Sequence, residues 1–320
     1  MSARGAQVAC PPPPRYHART PAPEPPLTQP ERIAIPVRSD CPSCGASGQL
    51  RPFVQRSNAD WESCSCGLVF LKTHYASPAA LPPPAQDGSA GVAAYQQRYG
   101  QYDSRQRRRV AKSRQQVMDL LNYVERGPLL DVGSSMGYTL QAARELGLPA
   151  AGLEMDGAVV EQCRQAGFEA RQGMMDRLPW PDAHFQLVVM KHVLEHTPDP
   201  RLALGEVRRV LRPGGGLFIA VPNLHYHRAM RDPQRHRFFG FSGDGHADGH
   251  YVYYTPAALT ALLASMGFEV KHVHPQLLHR RAPLPRQLGQ LAAAPFRATW
   301  HAALTAFNLR KEFWLVAVRR

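Results

Sequence analysis

The sequence predicts an α/β protein with a doubly wound, mostly parallel sheet, preceded by a small Cys-rich module. From residue 127 onward, apolar runs with strand character alternate with amphipathic segments of helical length. Such alternation is typical of crossover units, in which helices join parallel strands and cover both faces of the sheet. Separately, four of the six cysteines lie between Cys41 and Cys66, well ahead of the first of these strands.

Composition divides the chain into four segments. Residues 1–36 contain the run "PPPPRYHARTPAPEPP" and are predicted to be a disordered Pro-rich tail, because they offer too few apolar residues for a core. Residues 37–76 hold the Cys-rich module, and the Pro- and Ala-rich residues 77–93 are predicted to be a linker. The main domain is then expected over residues 94–320.

The main domain is predicted to begin with a basic helix within residues 95–126. Its apolar side chains Val117, Leu120, Leu121 and Val124 recur at helical spacing. One face of this helix can therefore dock on a core.

Seven strands and four further helices are predicted to follow. The strands are "GPLLDVG", "PAAGLEM", "FEARQG", "HFQLVVMKHV", "GLFIAVPN", "FEVKHVHP" and "EFWLVAVRR". The helices are "YTLQAARELG", "GAVVEQCRQAG", "PRLALGEVRRVLRPGG" and "TPAALTALLASMG". Two inserts interrupt the alternation: the His-rich residues 222–254, interpreted as a lid, and residues 276–311, interpreted as a basic cover.

Charge and hydrophobicity narrow the function classes. The 38 Lys+Arg against 25 Asp+Glu give a net charge of +13, which permits anionic partners such as nucleic acid without selecting one. No apolar run reaches the ~18 residues of a membrane-spanning helix, and the N-terminus lacks the apolar core of a signal peptide. The cysteines do not form the pattern of a secreted disulfide framework. A cytoplasmic protein without a membrane span is therefore expected.

The loop "DVGSSMG" follows the first strand of the main domain and is the strongest ligand-binding signal. It lacks the glycines of a dinucleotide fingerprint and the lysine of a P-loop. It places Asp131 at the strand end, followed by Gly133 and Gly137, which suits a ligand that carries an ammonium or sulfonium group rather than a phosphate. Glu154 ends the second strand, where an acid accepts hydrogen bonds from ribose hydroxyls. An amino-acid tail on a nucleoside is the chemistry of S-adenosylmethionine.

Residues 127–275 resemble a class I S-adenosylmethionine-dependent methyltransferase. The resemblance covers an ordered set of motifs: "LLDVGSSMG", "GLEMD", "QGMMDRLPWPDAHFQLVV", "HVLEHTPDP", "RVLRPGGGLFIAVPN" and "YYTPAALTALLASMGFEV". It implies a Rossmann-like fold and methyl transfer to an acceptor of the small-molecule or glycan type. A fold of this kind that binds no cofactor is the alternative.

The resemblance also implies contacts for each part of the cofactor. The first loop would line the methionine end, the second strand end would bind ribose and adenine, and the turn after the third strand would reach the adenine edge. Three positions depart from the family pattern: Ser135 stands at its middle loop glycine, Met174 at its adenine-side acid, and Gln186 at the acid of its "FD" pair before the fourth strand. Without the adenine-side acid, packing and backbone would hold the adenine. The implied residues are Asp131, Gly133, Ser135, Gly137, Glu154, Met155, Met174, Met175 and Lys191.

The cysteines form a C-x2-C pair, Cys41 and Cys44, and a C-x-C pair, Cys64 and Cys66. Two Cys pairs on two turns are typical of a tetrahedral structural zinc site, which predicts a zinc-ribbon-like module. The second pair is one residue shorter than the usual spacing, so a redox pair or a metal-free ribbon remains an alternative. The segment after the module also resembles the connection between such ribbons and the methyltransferase domain in bacterial enzymes of glycan or natural-product modification.

Three histidines are candidate catalytic bases, because histidine is the natural proton acceptor near pH 7. His192 and His196 lie just after the fourth strand, and His250 lies in the first insert. In the family the Glu-His pair at this position mostly organises the loop. Alternatively, the i, i+3, i+4 spacing of His192, Glu195 and His196 could hold a divalent ion, as a similar cluster does in some quinone O-methyltransferases. Proximity alone, without any base, is a further alternative.

Two other function classes remain open at this stage. The basic charge and the Cys-rich module would also suit an RNA methyltransferase, whose partner would be ribosomal or transfer RNA. A non-catalytic protein that binds a partner through the ribbon is the third class. The motif "LEHTPDP" and the His-rich insert favour the small-molecule branch.

Overall fold

The computed structural model of the chain describes residues 33–48, 50–55, 59–76, 102–226, 249–275 and 311–320. The predicted linker 77–93 and most of both predicted inserts lie outside these residues. The described part contains two sheets. No helix in it is long and apolar enough to cross a membrane.

The smaller sheet is built by the Cys-rich module. Its antiparallel strands are β1 (Ile33–Pro36), β2 (Leu50–Gln55), β3 (Ala59–Cys64) and β4 (Val69–Ala76), in the order β1-β4-β3-β2. Residues 33–36 were predicted to belong to the disordered tail, and that boundary is wrong. They form β1 because their backbone pairs with residues 73–76 of β4.

The larger sheet belongs to the main domain and has seven strands. The strands are β5 (Leu129–Val132), β6 (Ala150–Glu154), β7 (Glu169–Gln172), β8 (Phe185–Lys191), β9 (Leu211–Pro222), β11 (Phe268–Pro275) and β12 (Glu312–Arg319). Their order in the sheet is β11-β12-β9-β8-β5-β6-β7. Only β12 is antiparallel to its neighbours, so the predicted Rossmann-like, mostly parallel sheet is confirmed. The helices are α1 (Tyr102–Leu121), α2 (Tyr138–Glu145), α3 (Gly157–Gln165), α4 (Pro200–Val210) and α5 (Pro256–Ser265).

One predicted helix is too long at its C-terminus. The prediction continued "PRLALGEVRRVLRPGG" through residue 215, whereas α4 ends at Val210 and Leu211 is already extended, with φ −72° and ψ 142°. Pro213 explains the difference, because proline disfavours helical geometry at the preceding residue and cannot donate within a helix. Leu211 instead begins β9, where it pairs with Phe185 of β8.

The core lies on both faces of the large sheet. Alternate residues of β8 divide between the two layers: Val188 and Met190 pack with α4 and α5, and Leu187 and Val189 pack with the apolar face of α1. This alternation follows from the two-residue period of a strand.

The Cys-rich module packs directly on the main domain. A two-residue strand, β10 (Val252–Tyr253), comes from the first predicted insert and pairs with β4. The Leu71 amide donates to the Tyr251 carbonyl at 2.8 Å, and Arg201 of α4 donates to the Ser43 carbonyl at 2.9 Å. The C-terminal part of the 222–254 insert is therefore a bridge between the two sheets.

Candidate functional site

Three charged side chains meet at the carboxyl edge of the large sheet. Asp131 lies on β5, Glu154 ends β6 and Lys191 ends β8, and these strands are adjacent and parallel. The carboxyl ends of parallel strands are the usual ligand-binding edge of such sheets. The three residues are therefore neighbours at this edge, and their common role in one ligand site stays a prediction.

The glycine loop after β5 is tied to β6 by its own backbone. The amides of Gly133 and Ser134 both donate to the Leu153 carbonyl, at 2.8 and 2.9 Å. Gly133 has φ +74°, and a Cβ there would lie 2.4 Å from Val193 Cγ2. Only glycine fits this position, because a side chain would be both strained and in collision. Gly137, with φ +73°, is the cap residue just before α2 and has the same left-handed conformation.

Ser135 replaces the family's middle glycine without opening the loop. It adopts φ +51°, and its amide donates to Glu154 Oε2 at 2.9 Å. Glu154 Oε1 also accepts from the amides of Met155 and Asp156, at 2.9 and 3.3 Å. A carboxylate offers about four acceptor positions, so three amides orient Glu154 and one acceptor position is left for a further donor.

Two exposed methionines flank the same edge. Met155 follows β6 and is 65% exposed, and Met174 follows β7 and is 52% exposed. The two turns are joined, because Gln172 donates to the Met155 carbonyl at 3.1 Å and the Gly173 amide donates to the Glu154 carbonyl at 3.0 Å. Large apolar side chains that are this exposed can pack on a flat ring of a bound ligand. Met175 differs, since it packs against the core.

A buried polar network lies behind the loop. Asp131 is 4% exposed and is hydrogen-bonded to Thr139, whose hydroxyl lies 3.4 Å from that of Ser113 on α1. Lys191 Nζ donates to the same Ser113 hydroxyl at 3.2 Å. Burial raises the pKa of Asp131 to about 7, against the opposing effects of Lys191 and Thr139. Burial also lowers the pKa of Lys191, although Asp131 counteracts it.

Sequence reasoning missed Ser113 and Thr139. The signal available for Ser113 was its place on the apolar stripe of α1, four residues before Val117. A hydroxyl on a buried helix face needs a partner, and here the partners are groups of the candidate site.

His192 is held between two carboxylates. Its Nε2 lies 2.5 Å from Glu312 Oε2 on β12, and its Nδ1 lies 3.4 Å from Glu195 Oε1. Burial would lower the pKa of His192, but the two carboxylates outweigh it and raise the pKa to about 9. An imidazole that is protonated at neutral pH is a poor proton acceptor. Sequence reasoning missed Glu312, which also contacts Lys112 at 3.3 Å.

His196 and His250 come together, although they are far apart in sequence. Their ring centroids lie 4.8 Å apart. His196 Nδ1 is 3.0 Å from the Gly249 carbonyl, and His250 Nδ1 is 3.2 Å from the Tyr253 hydroxyl. Their ligand atoms and a carboxylate oxygen of the fully buried Glu195 all lie within 4.8 Å of one another. The divalent-ion alternative therefore involves His250 rather than His192.

The four cysteines of the module form a compact thiol cluster. Cys41 Sγ lies 3.6 Å from Cys66 Sγ, and Cys44 Sγ lies 3.6 Å from Cys64 Sγ. These contacts are too long for disulfides of ~2.05 Å. Tetrahedral zinc with Zn–S bonds of ~2.3 Å separates its sulfurs by ~3.8 Å, so the donor set and its spacing fit zinc. Gly45 and Gly67 support the two turns with φ +74° and +91°.

Comparison with known proteins shows that the chain is similar to methyltransferases. A family model described as "Methyltransferase domain" matches residues 102–273. The chain is 32% identical over 145 residues to a probable S-adenosylmethionine-dependent methyltransferase of Mycolicibacterium smegmatis, covering 45% of this chain and 52% of that protein. It is 28% identical over 101 residues to a ubiquinone biosynthesis O-methyltransferase of Methylococcus capsulatus, covering 29% and 43%.

The chain thus spans about half or less of the length of these relatives. Among solved structures, it is similar to a Haloferax volcanii complex between the Trm112 methyltransferase activator and a putative methyltransferase. The TM-score is 0.50 at 19% identity, covering 73% of this chain and 99% of that chain. This likeness supports the fold.

Proposed function

This chain belongs to the methyltransferase-domain family, and from that premise we propose that it transfers a methyl group from S-adenosylmethionine to a small-molecule or glycan-type acceptor. The observation that carries the proposal is the arrangement at the carboxyl edge of the sheet. An acid, a tight glycine loop, a second acid and two exposed methionines follow one another across adjacent strands.

In this proposal, different residues bind different parts of the cofactor. S-adenosylmethionine supplies a methyl group that is activated on its sulfonium sulfur. Asp131 provides negative charge for the amino-acid end, and the Gly133 turn lets the backbone approach it closely. Glu154 accepts from the ribose, and Met155 and Met174 pack on the adenine. Lys191 neutralises part of the charge of Asp131 behind the loop.

Two observations support an acceptor of small-molecule or glycan type. The Methylococcus capsulatus relative is a ubiquinone biosynthesis O-methyltransferase, and ubiquinone is itself a small molecule. In this chain, His196 and His250 lie beyond β8 on a segment bridged to the Cys-rich module, where they can face an acceptor. We also propose a structural zinc on Cys41, Cys44, Cys64 and Cys66, whose role would be to hold the module against the main domain.

The acceptor class can be tested with isotope-labelled S-adenosylmethionine and a fractionated bacterial extract. We expect label in the low-molecular-weight or glycan fraction, insensitive to ribonuclease. Asp131→Asn should strongly reduce the labelling at low cofactor concentration, because it is expected to weaken cofactor binding. Asp119→Asn, on the solvent side of α1 where Asp119 contacts Gln115, is the matched control and should label normally.

Two outcomes would contradict this proposal. Ribonuclease-sensitive label that decreases steeply with salt would identify RNA as the acceptor. A protein that binds the cofactor but labels no fraction would favour the non-catalytic binding protein.

A further inference from the structure

We propose that the Cys-rich module positions the histidine pair of the main domain, with Trp61 as the positioning residue that acts on His250 through Tyr253. Two pieces of chain carry this pair: the turn Leu194–His196 and the bridging segment, residues 249–254. That the pair faces an acceptor rests on the proposed function. The contacts between the module and these two pieces do not depend on it.

The module and the bridging segment complete each other's structure. Along one edge of β4, residues 73–76 pair with β1 and residues 69–70 pair with β10. The Leu71 amide extends this pairing by donating to the Tyr251 carbonyl at 2.8 Å. This part of β4 is buried, and buried backbone groups without a partner are unfavourable. The bridging segment is therefore held in place by the module, although it belongs to the main domain in sequence.

Aromatic contacts connect the module to His250. Trp61 on β3 and Tyr253 are both fully buried, and their ring centroids lie 5.3 Å apart. They share a core cluster in which Tyr253 and Leu224 are the main-domain members. The Tyr253 hydroxyl in turn lies 3.2 Å from His250 Nδ1. Because a close-packed interior leaves a buried ring little room to shift, Trp61 fixes Tyr253, and Tyr253 fixes the ring of His250.

The bridging segment also holds the turn that carries His196. The Tyr251 amide donates to the Glu195 carbonyl at 2.7 Å. The Tyr254 hydroxyl donates to the Leu194 carbonyl at 3.4 Å. A displacement of the bridging segment would therefore move both histidines of the pair.

A second set of contacts fixes the chain that follows this turn. Arg38 of the module donates to the Pro198 carbonyl at 3.2 Å and lies 3.5 Å from the Asp199 carboxylate. Arg201 donates to the Ser43 carbonyl at 2.9 Å. The module thus contacts both the chain after the turn and the bridging segment that packs on the turn.

The proposed cofactor edge is held by different contacts. The amides of Gly133 and Ser134 donate to the Leu153 carbonyl on β6. The Ser135 amide donates to Glu154 at the end of the same strand. These bonds lie within the main domain. We therefore expect a disturbance of the module to displace the histidine pair while the cofactor edge stays intact.

Nitrogen-15 NMR of the histidine rings in the full-length chain tests the proposal. Trp61→Leu keeps an apolar side chain but removes the ring that packs on Tyr253, so the ring-nitrogen resonances of His196 and His250 should shift. Trp61→Phe retains a flat ring and should restore the wild-type resonances. In Trp61→Leu, amide hydrogen exchange in the turn and the bridging segment should accelerate at least ~tenfold, because local opening becomes easier.

Binding of S-adenosylhomocysteine is the second readout for the same variants. Its affinity should stay within roughly a factor of two of the wild type, because sites without shared partners act almost independently. Val69→Ala trims the β4 residue that pairs with Tyr253 and is a milder variant. It should disturb the same two histidine resonances, which keeps the test decisive if Trp61→Leu does not fold.

The matched control is Trp180→Leu, which removes a buried tryptophan that contacts Phe185 at the opposite end of β8. It should leave the resonances of the histidine pair as in the wild type. Unchanged resonances and amide exchange in the folded Trp61 and Val69 variants would overturn the proposal. So would faster exchange that extends equally to the loops after β5 and β6. Neither result bears on methyl transfer, whereas a wild-type chain that does not bind S-adenosylhomocysteine would contradict the proposed function instead.

Discussion

Replacement of Asp131 by asparagine is expected to weaken binding of S-adenosylhomocysteine at least 30-fold. In the proposed site Asp131 would supply negative charge for the amino-acid end of the cofactor, and it is 4% exposed. Removal of one partner from a buried charge interaction costs about 2 kcal/mol or more, and every ~1.4 kcal/mol is a factor of ten. The measurement is the ligand-induced shift of the melting temperature, with Asp119→Asn as the control.

The same substitution should stabilise the chain without ligand. Burial raises the pKa of Asp131 from 3.8 to about 7. Between these values the folded state holds a proton that the unfolded state has lost, so stability decreases as pH rises from about 4 to 7. Asparagine cannot ionise and so removes this loss of folding stability, which is at most ~4 kcal/mol above pH 7. An Asp131→Asn variant that binds the ligand as the wild type does, or melts lower than it at pH 8, would contradict the role of Asp131.

Cys41→Ser is expected to release one equivalent of zinc and to destabilise the whole chain. Structural zinc contributes on the order of 10 kcal/mol to folding in small zinc domains. One core cluster joins the main domain to four residues of the module, Cys41, Cys64, Leu68 and Phe70. The loss of stability should therefore extend beyond the module. Metal analysis and thermal unfolding are the measurements.

The control for this prediction is Cys163→Ala on α3. Cys163 is also buried, but its thiol donates to the Ser135 carbonyl and lies outside the thiol cluster. Its zinc content should equal that of the wild type. Unchanged zinc content in Cys41→Ser would show that the thiol cluster is not the zinc site.

The fold was predictable because its signals are local. The apolar strands and the "DVGSSMG" loop lie within short segments, and the parallel order then brings Asp131, Glu154 and Lys191 to one edge. The prediction of α4 continued past Pro213, although the rule that helices end before a proline would have stopped it there.

The surroundings of the three histidines were less predictable because their contacts join distant segments. Glu312 reaches His192 only because β12 inserts between β9 and β11, in a register that pairs Glu312 with Pro222. His250 joins Glu195 only because β10 is shared with the Cys-rich module. Neither pairing leaves a periodic pattern, so sequence spacing favoured His192 as the neighbour of Glu195 and His196.

The central claim is that the carboxyl edge of the sheet binds S-adenosylmethionine, and calorimetric titration of the wild-type chain with S-adenosylhomocysteine tests it most directly. Near pH 7, in two buffers of different protonation enthalpy, we expect one ligand per chain and release of protons, because the ligand's ammonium group favours ionised Asp131. Glu154→Ala should bind much more weakly. Absence of binding at millimolar ligand in a folded protein would contradict the account.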